Sequence, residues 1–342
     1  MRNSIQIKRR IPYLVFPIAG AVLMMAIFIF SLAVGQYKIS LSNTLQALFG
    51  NAYSVTDNVV IWVLRFPRTA VACFIGIALA ISGLIYQSTF QNELVSPDIL
   101  GVSSGASVGV AVGILLGFPL LIVSGFGFIF GAVAMLLTLL IARVFKNKSP
   151  IILVISGILV SGLMGSIVSL IKAWANTETV LPSIVFWLLG SFASVKMIHV
   201  WILFPIITVC TIFLFIISRK VLNNIALGQE EAKSKGINYK VWRIVIIIIG
   251  TILTASAVSV AGTIGWIGLV IPHITRLLVG HTAQKTIPVT IFFGGSFMMT
   301  TDILARNIAT SEIPVGAITG IIGIIVFMII LTTQRGRNYV ID

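Results

Sequence analysis

The sequence predicts an all-α integral membrane protein of about ten transmembrane helices, and three observations predict it. Hydrophobic residues make up 58% of the 342 residues, and the mean hydropathy is +1.11. Charged residues make up only 9%, against about 25% in a soluble domain. The polar residues fall in short intervals between apolar runs, and a run of about 20 residues crosses a bilayer. About eight to twelve such spans fit this length. No room is left for a second soluble domain, so residues 1–342 read as a single transmembrane unit.

Ten spans fit best, at 12–35, 69–87, 98–117, 119–143, 150–173, 198–218, 242–262, 264–280, 286–301 and 314–333. Before the first stand Arg2, Lys8, Arg9 and Arg10. The apolar run from Tyr13 to Gly35 exceeds the roughly 7–15 residues of a signal-peptide core, so it is read as a retained span. Gly117-Phe118-Pro119 divides the third span from the fourth, because proline cannot continue a helix and glycine permits the turn. Two apolar pieces are too short to cross. Ile39–Phe49 places Leu41, Leu45, Leu48 and Phe49 at helical spacing and suits an interfacial helix on the outer face. Ile184–Ala193, with Trp187 and Gly190-Ser191, reads as a short or re-entrant element before the sixth span.

The formal net charge of +14 has a topological cause. With the N-terminus inside, seventeen of the basic residues fall on the cytoplasmic side, including Arg143, Lys146, Lys148, Arg276, Lys285, Arg335 and Arg337. Six fall outside: Lys38, Arg65, Arg68, Lys172, Lys196 and Arg306. The positive-inside rule accounts for that asymmetry, so it carries no nucleic-acid footprint. Both termini are expected in the cytoplasm, in a multi-pass plasma or inner membrane protein.

Ser218–Arg243 is the longest polar interval, and the charge bias puts it inside. Within it Glu230-Glu231-Ala232-Lys233-Ser234-Lys235 reads as a short helix made almost wholly of strong helix formers. Gly236 sits where a left-handed residue stops a helix, and Asn238 can start a turn. A solvated loop is one reading; a charged helix-turn offered to a soluble partner is the other.

Several chemistries find no residues here. No G-x-x-x-x-G-K-[ST] phosphate loop occurs, so ATP hydrolysis by that route is excluded. None of the nine acids falls in the middle of an assigned span, which disfavours an ion-coupled secondary transporter, the alternative reading. The three histidines are far apart, and no cluster has metal-ligand spacing; His273 reads as a packing or capping residue. Cys73 and Cys210 lie in apolar runs and act as small hydrophobes. No cofactor, metal or catalytic residue is expected.

Besides that helix-turn, two groups remain as functional candidates. Arg65 and Arg68, with Arg306 four residues after Asp302, lie on the face that the rule depletes of positive charge. Snorkelling to headgroups is one account; bidentate pairing with carboxylates of an external partner is the other. Small residues recur at Ser103, Ser104 and Gly105, and at Ser156, Gly157 and Ser161. They allow close helix packing, and they are also candidates for the lining of a translocation path.

The residues resemble the FecCD-type permeases of iron–siderophore, haem and vitamin B12 ABC importers. The resemblance runs from about Arg65 to Arg335. It rests on Arg65-Phe66-Pro67-Arg68, on Leu79-Ala80-Ile81-Ser82-Gly83 with Gln87, and on Pro97-Asp98-Ile99-Leu100-Gly101-Val102-Ser103-Ser104-Gly105-Ala106. It continues with Trp187-Leu188-Leu189-Gly190-Ser191, with Leu227-Gly228, Ala232 and Gly236, and with the run from Gly262 to Arg276. Asp302 and Arg306 followed by Glu312-Ile313-Pro314-Val315-Gly316 complete it. The chain departs from the pattern at Glu93, where the family has proline, at Ile325, also a proline there, and at His281-Thr282-Ala283.

The resemblance implies a type II ABC importer permease fold of ten helices and a pair of such subunits, identical or related, around a path. It also implies two cytoplasmic ATP-binding subunits that carry the hydrolysis, and an external substrate-binding protein that delivers a ferric siderophore or related iron chelate. Arg65, Arg68 and Arg306 would then dock the binding protein. Leu227, Gly228, Glu231, Ala232 and Gly236 would belong to a coupling loop, within 218–243, that docks the ATPase.

Overall fold

The computed structural model describes residues 13–50, 54–145, 150–309 and 311–338. Arg2, Lys8, Arg9, Arg10, Lys146 and Lys148 lie outside the described residues, as do the side chains of Arg335 and Arg337. The helices in order are α1 (Val15–Ala33), α2 (Leu41–Leu48), α3 (Val55–Phe90), α4 (Val102–Leu115), α5 (Leu120–Val144), α6 (Pro150–Trp174) and α7 (Val180–Leu188). They continue with α8 (Met197–Ala226), α9 (Gln229–Ser234), α10 (Tyr239–Ala261), α11 (Ile267–Val279), α12 (Ala283–Asn307) and α13 (Val315–Asn338). Among the described residues there is no strand. Seven of these helices are long and apolar enough to cross a membrane, and α4, α11 and α13 add three shorter apolar ones. These ten coincide with the ten predicted spans.

Three boundaries differ, each for a physical reason. The second span begins at Val55, not residue 69. Proline 67 does not start the helix, because a π-turn over Val60–Arg65 precedes it and the helix runs straight through. The sixth span likewise continues through a π-turn at Ser218–Leu222 to Ala226, so the first part of the 218–243 interval is helix. The ninth runs to Asn307, which puts Asp302 and Arg306 on its last turns rather than beyond its end.

The predicted interfacial helix is α2, whose Ser40 hydroxyl accepts from the Asn43 N–H as an N-cap. The predicted re-entrant piece is α7, which ends at Gly190 with φ of +78°.

From Pro67 onward almost every residue of α3 is buried, and α1, α8, α10, α11 and α12 pack around it. Two close crossings set this core. A Cβ on Gly83 would run into the Gly268 carbonyl of α11, and one on Gly76 into the Gly294 carbonyl of α12. Only glycine lets those backbones meet. A smaller cluster joins α4, α5, α6 and α7 through Val108, Ala134, Val160, Met164 and Ile184. The outward faces of α1, α6 and α8 expose large apolar side chains such as Val22, Ile158 and Ile216, which suits a lipid or subunit boundary.

One acid sits deeper than its place at the start of the third predicted span implies. Asp98 lies in a 3-10 turn, Pro97–Leu100, that dips into the bundle. Pro97 packs on Gly268, level with Leu79 in α3, so this carboxylate sits well inside the second span's length. Its Oδ1 accepts from the Ser103 hydroxyl.

Candidate functional site

Arg65, Arg68 and Arg306 converge on one cleft of about 380 Å3, lined also by Gly35, Tyr37 and Glu312, with Phe192 and Val195. Arg65 is only 6% exposed. Its guanidinium donates to the carbonyls of Leu32 (2.7 Å), Ala33 (2.8 Å) and Tyr37. Leu32 and Ala33 end α1, so Arg65 satisfies carbonyls that have no partner within their own helix. Tyr37 donates to Asp57 at 3.1 Å, and that bond and the carboxylate's charge push its hydroxyl above its ordinary pKa.

Arg68 is the hub. Its Nε donates to Asp302 at 2.8 Å, while Nη1 and Nη2 reach the two Glu312 oxygens at 3.1 and 2.8 Å, a bidentate fork. Arg306 pairs with the other Asp302 oxygen at 3.5 Å and donates to the Ser31 carbonyl and hydroxyl at 2.7 and 2.6 Å. Asp302 is wholly buried between the two arginines. In the sequence, Asp302 and Glu312 stand out only as motif residues. Their pairing with Arg68 leaves no local pattern, because 234 and 244 positions separate them from it.

The opposite end holds a second cleft, of about 580 Å3, lined among others by Gln87, Gln91, Glu93, Asn224, Lys235, Arg276 and His281. The three histidines looked far apart, yet two of them meet on one carboxylate. Glu93 lies 3.3 Å from both His273 and Arg276 and 3.7 Å from His281. Arg276 also donates to the Gln87 side-chain oxygen, whose amide nitrogen reaches the Gly268 carbonyl at 3.0 Å. Glu93, a departure from the family pattern, thus anchors the end of α3 to α11. Among the described residues, no group of histidine, cysteine, aspartate or glutamate could hold a metal ion.

Beside this cleft stands the predicted helix-turn. Gly228 (φ +105°) admits the chain to α9, and Gly236 (φ +73°) ends it. The N–H of Gly236 bonds the Lys233 carbonyl and that of Ile237 the Ala232 carbonyl, a Schellman motif. Asn238 then caps α10 by accepting from the Val241 N–H. Leu227, Glu231 and Gly236 are exposed, whereas Ala232 is fully buried and ties the unit to the core.

The small-residue series divides. Ser103, Gly105, Ser156 and Gly157 are buried within the chain, so in this conformation they pack helices and border no open space. Gly157 packs against the Ile99–Leu100 backbone and Gly105 against Phe130 of α5. Ser104 and Ser161 are half-buried. The exposed small face of α6 is instead Gly162, Gly165, Ser166 and Ser169, whose hydroxyls are satisfied by carbonyls four residues back.

A model of the FecCD transport family matches residues 23–333. The chain belongs to the FecCD transport family. It is 34% identical over 313 residues to the molybdate import system permease protein MolB of Haemophilus influenzae, covering 90% of this chain and 93% of that one. To the vitamin B12 import system permease protein BtuC of Klebsiella pneumoniae it is 34% identical over 297 residues, 84% and 87% of the two chains. The fold superposes with a TM-score of 0.85 and 33% identity on a structure described as an inward-facing conformation of a putative metal-chelate type ABC transporter, covering 93% and 98%. This FecCD chain is therefore a multi-pass inner-membrane permease subunit of an ABC importer, with the type II fold. Permeases of this kind dimerise and work with ATPase and binding-protein partners.

Proposed function

We propose that this FecCD permease, acting as one transmembrane unit over 1–342, forms with a second permease subunit the path by which a ferric siderophore or related iron chelate enters the cell. ATP hydrolysis belongs to two separate cytoplasmic subunits. The observation that carries the coupling is the Leu227–Tyr239 unit, a helix fixed by two positive-φ glycines and anchored through Ala232, with Leu227 and Glu231 left exposed. A rigid, exposed knob of this kind transmits movement of a docked ATPase into α8 and α10, which flank it. The likeness to a metal-chelate type transporter supports the substrate class, and its inward-facing conformation supports reading the same state here.

At the other end the binding protein docks on the cleft that holds Arg65, Arg68 and Arg306. Arg68 and Arg306 line it with partly exposed guanidiniums; Arg65, spent on backbone carbonyls, is buried and adds its charge to the same cleft. Both termini and α9 are cytoplasmic in this reading.

The test is reconstitution of the permease with its ATPase subunits and binding protein in proteoliposomes, offering ferric siderophore, cobalamin and molybdate in turn. ATP-dependent uptake of the ferric siderophore is expected. Uptake confined to cobalamin or molybdate would overturn the substrate, and uptake driven by an ion gradient without ATPases would overturn the mechanism.

A further inference from the structure

The two carboxylates on Arg68 differ in kind. Asp302 has no exposed side-chain surface, so removing it would strand a buried charge. Glu312 is 21% exposed and lies on the connection from α12 to α13, from which its carboxylate can swing into water. It also accepts from the Ser191 hydroxyl at 3.1 Å. Each arginine of the cleft already faces a carboxylate of the same chain: Arg65 faces Asp57, Arg68 faces Asp302 and Glu312, and Arg306 faces Asp302. An acidic partner can therefore reach Arg68 in the same geometry only by displacing one of those carboxylates.

We propose that Glu312 is an exchangeable internal carboxylate, displaced from Arg68 by an acidic side chain of the external binding protein. The proposal rests on the docking reading above. Exchange replaces one bidentate carboxylate by another, so no buried charge is left unpaired, and the released Glu312 is rehydrated. It also breaks the Glu312–Ser191 contact. Ser191 belongs to a junction at which three elements meet: its N–H bonds the Ala261 carbonyl at the end of α10, and the Val315 N–H at the start of α13 bonds the Gly190 carbonyl, both at 2.9 Å. The Thr263 hydroxyl bonds the last residue of α7, Leu188. Docking at Arg68 thereby loosens the place where α7, α10 and α13 are tied together at the outer end.

The experiment measures affinity of the assembled transporter for the soluble form of the binding protein that supports its uptake, at low and high salt. Glu312→Gln removes the competing charge and is expected to tighten binding by about tenfold, with a steeper salt dependence. Ser191→Ala keeps all charges but frees one hold on Glu312, and tightens binding by about twofold. Arg68→Lys loses the fork and weakens it by about tenfold. Weaker binding by Arg68→Lys together with unchanged or weaker binding by Glu312→Gln would overturn the exchange and leave docking standing. Unchanged binding in both would overturn docking and the exchange with it. Should Glu312→Gln fail to assemble, Ser191→Ala decides, and unchanged affinity there sinks the proposal.

Discussion

Arg65 and Arg68 are three residues apart on one helix and hold different things. The first ties the end of α1 to the connection after it through the carbonyls of Leu32, Ala33 and Tyr37; the second joins α3 to Asp302 and Glu312. A lysine at 65 presents its donors from one nitrogen and cannot span the same set. Arg65→Lys is therefore expected to cost about 1–3 kcal/mol of stability, read as a lower melting temperature of the purified permease in detergent. An unchanged melting curve would show that the carbonyls do not need the fork. The arginines themselves were legible in the sequence because they break the positive-inside rule. Their partners were not, since a pairing across more than two hundred residues leaves no local pattern. The same holds for Glu93, which read only as a departure and turns out to gather His273 and Arg276.

At the scale of elements, periodicity and length recovered every long helix, and the errors came where a sequence break was not a structural one. Arg65-Phe66-Pro67-Arg68 looks like a boundary, but a π-turn absorbs the proline. The α9 unit is legible because its stop signal is local: glycine takes φ of +73° at the C′ position without steric cost. Gly236 has open space around it, so a larger residue there is strained by backbone and not by contact. Gly236→Val should leave the protein in the membrane and ATP hydrolysis present, while uptake per ATP falls several-fold. Normal coupling in that variant would remove α9 from the mechanism. Gly83 fails for the opposite reason. Its Cβ would meet the Gly268 carbonyl, so Gly83→Ala forces α3 and α11 apart and should cost about 1–3 kcal/mol, read as lower folded yield and melting temperature. An alanine variant with wild-type stability would show that the crossing has slack.

For the whole molecule, the fold sorts charged groups into two ends but does not say which end faces the cytoplasm. Among the described residues, the contacts of charged groups assigned to one side by loop charge are with groups of that side. Lys285 lies over the Tyr13 ring, and Lys235 bonds Asn224 near Glu93 and His281. Arg65, Arg68 and Arg306 gather with Tyr37 and Glu312 at the other end. That sorting supports the number and alternation of spans, since one miscounted span would have mixed the two sets. Orientation then rests on the basic excess alone. It is tested by single cysteines in a background lacking Cys73 and Cys210. Lys233 on α9 and Asn176 between α6 and α7 are both exposed, so access and not burial governs their reaction with a membrane-impermeant maleimide. Lys233→Cys is expected to react only in inverted vesicles, and Asn176→Cys only in intact cells. Lys146, the other cytoplasmic position suited to this test by sequence, lies outside the described residues. Reaction of Lys233→Cys in intact cells would turn the molecule over, placing the arginine cleft inside and removing both the coupling role of α9 and the docking role of Arg68 at once.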